Sequence, residues 1–91
     1  MQICFDIEAD ELLPKVSKVH VLHAVDMVSG ERFNYLEGDF GWMSLFKEAE
    51  FVMGHNVINY DFAVLNKLFK YTFPTERKRD SLLFSQILEL S

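Results

Sequence analysis

The chain has one cysteine, Cys4, so no internal disulfide can staple it, and a reducing compartment is expected. It has no apolar run approaching ~18 residues, which leaves no candidate for a helical membrane span. The opening residues Met1-Gln2-Ile3-Cys4-Phe5-Asp6 carry no basic stretch ahead of the apolar ones, so no secretory signal is expected and a cytoplasmic location is. Basic charge is also scarce. Nine Lys and Arg stand against fourteen Asp and Glu, for a net charge of −5. Phosphate binding is driven by Lys and Arg, so such a chain is a poor general nucleic-acid binder. That reading reverses locally if some of the acids hold divalent cations. There are no internal repeats and no low-complexity segments.

What is present is ordinary globular material. The 91 residues are 49% hydrophobic and 25% charged, enough for one modest core and therefore a single domain over 1–91. Nine Phe, three Tyr and one Trp are a large aromatic supply for that length. The charge is uneven: residues 1–50 hold four basic and ten acidic residues, residues 51–91 five and four.

Periodicity divides the chain. Gln2–Ile7 reads as a buried strand, and Glu8–Lys15, with Pro14, as a loop. In Lys18–Val28 the valines at 19, 21 and 25 alternate with polar residues, which predicts a strand. After the Ser29-Gly30 turn, Arg32–Leu36 returns as its hairpin partner. Trp42, Leu45, Phe46 and Ala49 fall at helical spacing and predict a helix over Gly41–Glu50 with Asp39 as N-cap. Phe51–Gly54 reads as a strand and Tyr60–Tyr71 as a second helix. Thr75–Arg79 reads as a polar link. Asp80 is then expected to cap a third helix whose face carries Leu83, Phe84, Ile87 and Leu88. This is an α/β pattern with an antiparallel start.

Two stretches could carry chemistry. In Asp6-Ile7-Glu8 the carboxylates at i and i+2 share one strand face. Such neighbours repel unless an oxygen-seeking divalent cation sits between them. In His55-Asn56-Val57-Ile58-Asn59-Tyr60-Asp61 a strand runs into a helix whose first turn holds Asp61. There Asn59 or Asp61 could equally be a cap, and His55 a packed strand-end residue. His20 and His23 read as strand residues facing opposite sides, and Trp42, Phe46 and Phe69 as core anchors. Arg77-Lys78-Arg79, with Lys67 and Lys70, is either a solvated loop or the one basic patch able to hold a DNA backbone.

Together the two motifs resemble the DEDD 3′–5′ exonucleases of ribonuclease-H-like fold, above all the N-terminal proofreading domain of T-odd-phage family A polymerases. The residues carrying the likeness are Asp6-Ile7-Glu8 at a strand end, His55-Asn56 with Tyr60-Asp61 at a helix start, and Asp80-Ser81-Leu82-Leu83-Phe84-Ser85. The resemblance implies a ribonuclease-H-like mixed sheet, three antiparallel strands followed by a parallel one, in an incomplete version with flanking helices. It implies two Mg²⁺ or Mn²⁺ ions held by Asp6, Glu8 and Asp61 as catalytic and metal-binding acids. His55, Asn56, Arg77, Lys78 and Arg79 would contact substrate, the 3′ end of single-stranded DNA. If the chain is phage-encoded, it would act in the host cytoplasm.

The family's third motif, Tyr-x-x-x-Asp or His-x-x-x-Asp after the Asp80 segment, has no match. Tyr35-Leu36-Glu37-Gly38-Asp39 has the spacing but precedes the second motif. Three of four expected carboxylates are therefore present, and the 91 residues alone are expected to be inactive. The alternative is a non-catalytic module that binds nucleic-acid ends or a polymerase. In either case the apolar C-terminal helix is expected to be covered by a second copy or by a complementary polymerase chain.

Overall fold

The computed structural model describes residues 1–55 and 60–80. In chain order these form β1 (Gln2–Ala9), β2 (Val19–Asp26), β3 (Arg32–Leu36), α1 (Trp42–Glu48), β4 (Phe51–Gly54), α2 (Phe62–Phe69), a 3₁₀ turn (Thr75–Arg77) and β5 (Lys78–Asp80). The third helix expected after Asp80, and with it the apolar surface expected to bind a partner, lies outside the described residues.

One five-stranded sheet has the order β3-β2-β1-β4-β5. β2 runs antiparallel to β1 and β3, and β4 runs parallel to β1 and β5. This is the mixed α/β sheet expected, with the strand order of a ribonuclease-H-like fold. The βαβ crossovers put helices over the sheet, because parallel neighbours need long connections.

Alternation along β1 sorts its side chains. Ile3, Phe5 and Ile7 are buried, whereas Asp6 and Glu8 are exposed on the opposite face. Phe5 meets Phe46 of α1 with ring centroids 4.9 Å apart and Phe62 of α2 at 5.3 Å, both edge-on, the geometry ring quadrupoles favour. Both helices thus pack on the Phe5 face. Leu22, Ala24, Trp42, Leu45, Val52, Val64, Leu65 and Phe73 complete this core.

Several boundaries differ from expectation. β1 continues through Glu8 to Ala9 because residues Val21 and Val19 of β2 pair with them. α1 begins with Gly41 at its cap, not Asp39; Asp39 Oδ1 instead accepts the Gly41 N–H at 2.9 Å. A Cβ on Gly41 would lie 2.9 Å from the Tyr35 ring, so glycine permits that approach. α2 stops at Lys70, whose left-handed backbone (φ 54°) returns its N–H to Asn66 O.

The polar link over 75–79 is the clearest correction. It turns once and becomes β5, with Val52, Met53 and Gly54 paired to Lys78, Arg79 and Asp80. Three charged residues form a strand because backbone pairing and ring contacts replace apolar side chains. Arg77 lies over Phe73 (4.8 Å), Lys78 over Phe62 (4.8 Å) and Arg79 over Phe51 (5.3 Å). Such cation–ring contacts are favourable, more so when desolvated.

Candidate functional site

The site forms where β1 outruns β4. The β1–β4 ladder reaches Cys4 opposite Met53, so the backbone farther along β1 lies beyond its β4 partners. The turn after β4 leads back into α2, and Asp61 at the head of that helix fills the gap. Its Oδ2 accepts the Ile7 N–H at 3.2 Å. Asp61 occupies the N-cap position, yet its carboxylate makes no cap hydrogen bond. The cap reading open to it from the sequence is therefore not the one the fold uses.

Asp61 is buried (5% exposed), as is Asp80 (7%). Burial raises the Asp61 carboxyl to about 7, and the neighbouring charges of Asp6 and Asp80 add to the rise, against the Ile7 N–H and its own N–H, which favour the anion. Desolvation and like charge both disfavour a carboxylate. The Cys4 thiol on the same strand is likewise pushed up, by burial and then by Asp6.

Asp6, Asp61 and Asp80 thus share one electrostatic environment at the ends of β1, α2 and β5. From sequence Asp80 reads as a helix cap and as the head of the Asp80–Ser85 segment that shares in the family resemblance, not as a buried strand-end acid. β5 was invisible there because it has three residues and no apolar alternation, so no sequence signal pointed to a buried strand-end acid. Glu8, on the same face of β1 as Asp6, is exposed, its Oε1 4.0 Å from His23 Nε2. Among the described residues, no three His, Cys, Asp or Glu side chains converge closely enough to hold a metal ion as they stand.

His55 is exposed in the turn after β4; Asn56 lies outside the described residues. The basic residues have structural partners. Arg77 donates to the carbonyls of Phe46 and Lys47 (3.1 Å each) and to that of Ala49, which satisfies the open C-terminal end of α1. Arg79 donates to Glu76 O and Lys78 O. Lys67 holds the carbonyls of Pro14 and Val16 and so ties α2 to the loop after β1. Tyr60 adds a second tie through Glu11 O at 3.1 Å. The Tyr60 contact holds the head of α2, and with it Asp61, and the Lys67 contacts hold its last turn, both against the loop after β1.

Tyr35 and Asp39, the misplaced Tyr-x-x-x-Asp, lie at the β3–α1 junction, where Asp39 serves the turn through Gly41. No helix among the described residues is long and apolar enough to cross a membrane.

No protein-family model matches the chain. It is 37% identical over 94 residues to a DNA-directed DNA polymerase of Enterobacteria phage T3, covering 91% of this chain and 13% of that protein. It is 34% identical over 97 residues to the DNA-directed DNA polymerase of Escherichia phage T7, covering 94% of this chain and 14% of the relative. Over nearly all of its length, this chain is therefore similar to a short segment of phage DNA-directed DNA polymerases.

Proposed function

We propose that this chain carries the acidic half of a DEDD-type 3′–5′ exonuclease site, of the proofreading kind that hydrolyses phosphodiesters at single-stranded DNA 3′ ends. The observation that carries the reading is Asp61. A buried carboxylate delivered from a helix onto the Ile7 N–H, beside Asp6, with its pKa pushed up to about 7, is costly to the fold. Shifts of this kind concentrate at functional sites.

The donor chemistry fits Mg²⁺ or Mn²⁺. All candidate ligands are carboxylate oxygens, the donors such hard cations prefer. A divalent charge would also remove the repulsion between Asp6 and Asp61. Bound cations would lower the pKa of a water and neutralise charge at the attacked phosphate. In this reading Asp6 and Glu8, projecting from one face of β1, hold cation and water. Asp61 is oriented by the Ile7 N–H, and a bound cation's charge would favour its deprotonated form. His55, exposed in the turn after β4, and Asn56, next to it in sequence, would contact substrate. Arg77, Lys78 and Arg79 engage DNA only with the faces their ring and carbonyl contacts leave open. The host cytoplasm is the proposed place of action.

Calorimetric titration with Mn²⁺ tests the metal site. Wild type should bind, and Asp6→Asn or Asp61→Asn should weaken binding at least tenfold; identical heats for all three would overturn the site. Labelled single-stranded DNA tests the chemistry. The 91 residues contain three of the four expected carboxylates, so little or no 3′ degradation is expected from them alone. Robust Mn²⁺-dependent digestion abolished by Glu8→Gln would prove the third motif dispensable.

A further inference from the structure

Among the described residues β3 forms one edge of the sheet and β5 the other, and the two edges differ. β5 has three residues, all charged, and short charged edges resist further pairing. β3 has five, pairs with β2 without a bulge, and carries one charge, Arg32. The ladder fixes where its free groups point. Glu37 N donates to His20 O at 3.0 Å and Asp26 N to Glu31 O at 2.9 Å, so the odd-numbered residues here turn N–H and C=O toward β2. Antiparallel pairing alternates. Arg32, Asn34 and Leu36 therefore turn theirs outward, and all three residues are exposed. Leu36 O also accepts the Asp39 N–H at 2.9 Å, which leaves it a second lone pair. Exposed large apolar side chains collect at the two ends of this strand. Met27 and Val28 precede it, Leu36 closes it and Phe40 follows; among the described residues, Leu12 alone lies elsewhere.

We infer that β3 is a docking edge for a second copy of this chain, paired antiparallel about Asn34 into one continuous sheet. The edge is self-complementary. Centring on Asn34 sets Arg32 opposite Leu36 of the second copy and Asn34 opposite its own equivalent. Every outward group then meets an outward group, in about six hydrogen bonds. A one-residue slip opposes even-numbered to odd-numbered residues and loses those bonds; a two-residue slip shortens the overlap. On the helix side the half-buried Phe33 falls opposite Tyr35 of the second copy, twice by the two-fold symmetry, and cross-strand aromatic pairs stabilise sheets. Antiparallel pairing also lays the Leu36–Phe40 end of one copy alongside the Met27–Val28 end of the other. At the limits of the register Glu31 faces Glu37 of the second copy, a like-charge cost that lowers the affinity. The surface uses none of the proposed exonuclease residues and stands apart from that reading.

Sedimentation equilibrium of the full chain over a concentration series tests the edge. Wild type should follow a monomer–dimer equilibrium. Asn34→Pro deletes an outward N–H and leaves the β2 ladder intact, a change edge strands tolerate, and should weaken the dimer about tenfold. Glu37→Lys should tighten it about three- to tenfold, because it turns both end repulsions into attractions. Adding Glu31→Lys should cancel that gain. The Glu37→Lys arm leaves the β3 backbone untouched, so the test does not depend on the folding of Asn34→Pro. Amide exchange at Arg32, Asn34 and Leu36 should slow as concentration rises. A chain that stays monomeric throughout the series, or a dimer whose affinity neither Asn34→Pro nor Glu37→Lys alters, would overturn the inference. So would protection of those three amides that ignores concentration, because another segment of the same chain would then cover the edge.

Discussion

Asp26 and Asp61 are buried to nearly the same degree, 6% and 5% exposed, near opposite ends of β1, and their acidities move in opposite directions. Asp26 closes the β2–β3 hairpin. It accepts from Val28 N at 3.0 Å, Ser29 Oγ at 3.1 Å and Gln2 N at 3.4 Å, and its pKa is lowered. Asp61 has the Ile7 N–H and its own, opposed by burial and by the charges of Asp6 and Asp80. Burial pushes both carboxyls up; the hydrogen-bond donors outweigh it at Asp26, whereas at Asp61 burial, helped by the charges of Asp6 and Asp80, outweighs the donors. One end of the strand spends a carboxylate on structure, and the other holds one under strain where a cation would relieve it.

The comparison can first be separated from packing. Phe46 touches Phe5, Trp42, Phe62 and Phe73 and supports the whole sheet. Phe46→Ala should cost about 3–5 kcal/mol of stability, by equal amounts at pH 5 and pH 8. A penalty that varied with pH would mean that the carboxylates depend on this ring.

The next largest effect isolates Asp61. Its folded pKa, about 7, lies above its unfolded one. The protonated form is thus favoured by folding, and that contribution is present below pH ~4 and lost as pH rises to ~7. In metal-free protein, Asp61→Asn should therefore be neutral near pH 4 and stabilising by about 1–3 kcal/mol at pH 8, after solvent screening. Asp26 runs the other way. Its contribution is present above the unfolded carboxylate value and lost as pH falls through the lowered folded one, so Asp26→Asn should destabilise at pH 7 and less so in acid. Urea midpoints at pH 3–9 check both; parallel curves for the two variants would erase the contrast.

Arg77→Gln probes the end of α1. Loss of three carbonyl contacts should cost about 1–2 kcal/mol, with no change in the salt dependence of single-stranded DNA binding. Weaker, more salt-tolerant DNA binding at unchanged stability would instead assign Arg77 to the nucleic acid. The smallest effect concerns the helix carrying Asp61. Lys70 sits at φ 54°, where glycine is preferred, so Lys70→Gly should raise stability by about 0.5–1 kcal/mol in the same urea series.

Much of the fold was legible because alternation and helical spacing are strong over β1–β4, α1 and α2. β5 was not, since its residues are all charged and its strand character comes from pairing with Val52–Gly54 and from rings beneath the cations. Asp6 and Glu8 were legible as a pair by strand period. Asp61 was legible as a helix-start acid but not as a ligand of the Ile7 N–H, a contact spanning 54 residues. Asp80 was legible as a cap and as part of the Asp80–Ser85 resemblance but not as a buried strand-end acid, and His23 acquired its neighbours only through the hairpin register.

The sequence alone determined that β1 buries Ile3, Phe5 and Ile7 and that two acids stand together on its other face, because these follow from a period of two. In β2 the valines at 21 and 25 lie out of phase with the buried Leu22 and Ala24, so the inward face there was set by pairing. Tertiary structure decided the rest: that β4 stops short of the end of β1, that Asp61 fills the opening, that Asp80 is buried nearby, and that His23 stands across from Asp6 and beside Glu8. Those are relations between segments distant in sequence. Their energies depend on burial and on the distance between charges, and neither exists until the sheet has closed its register.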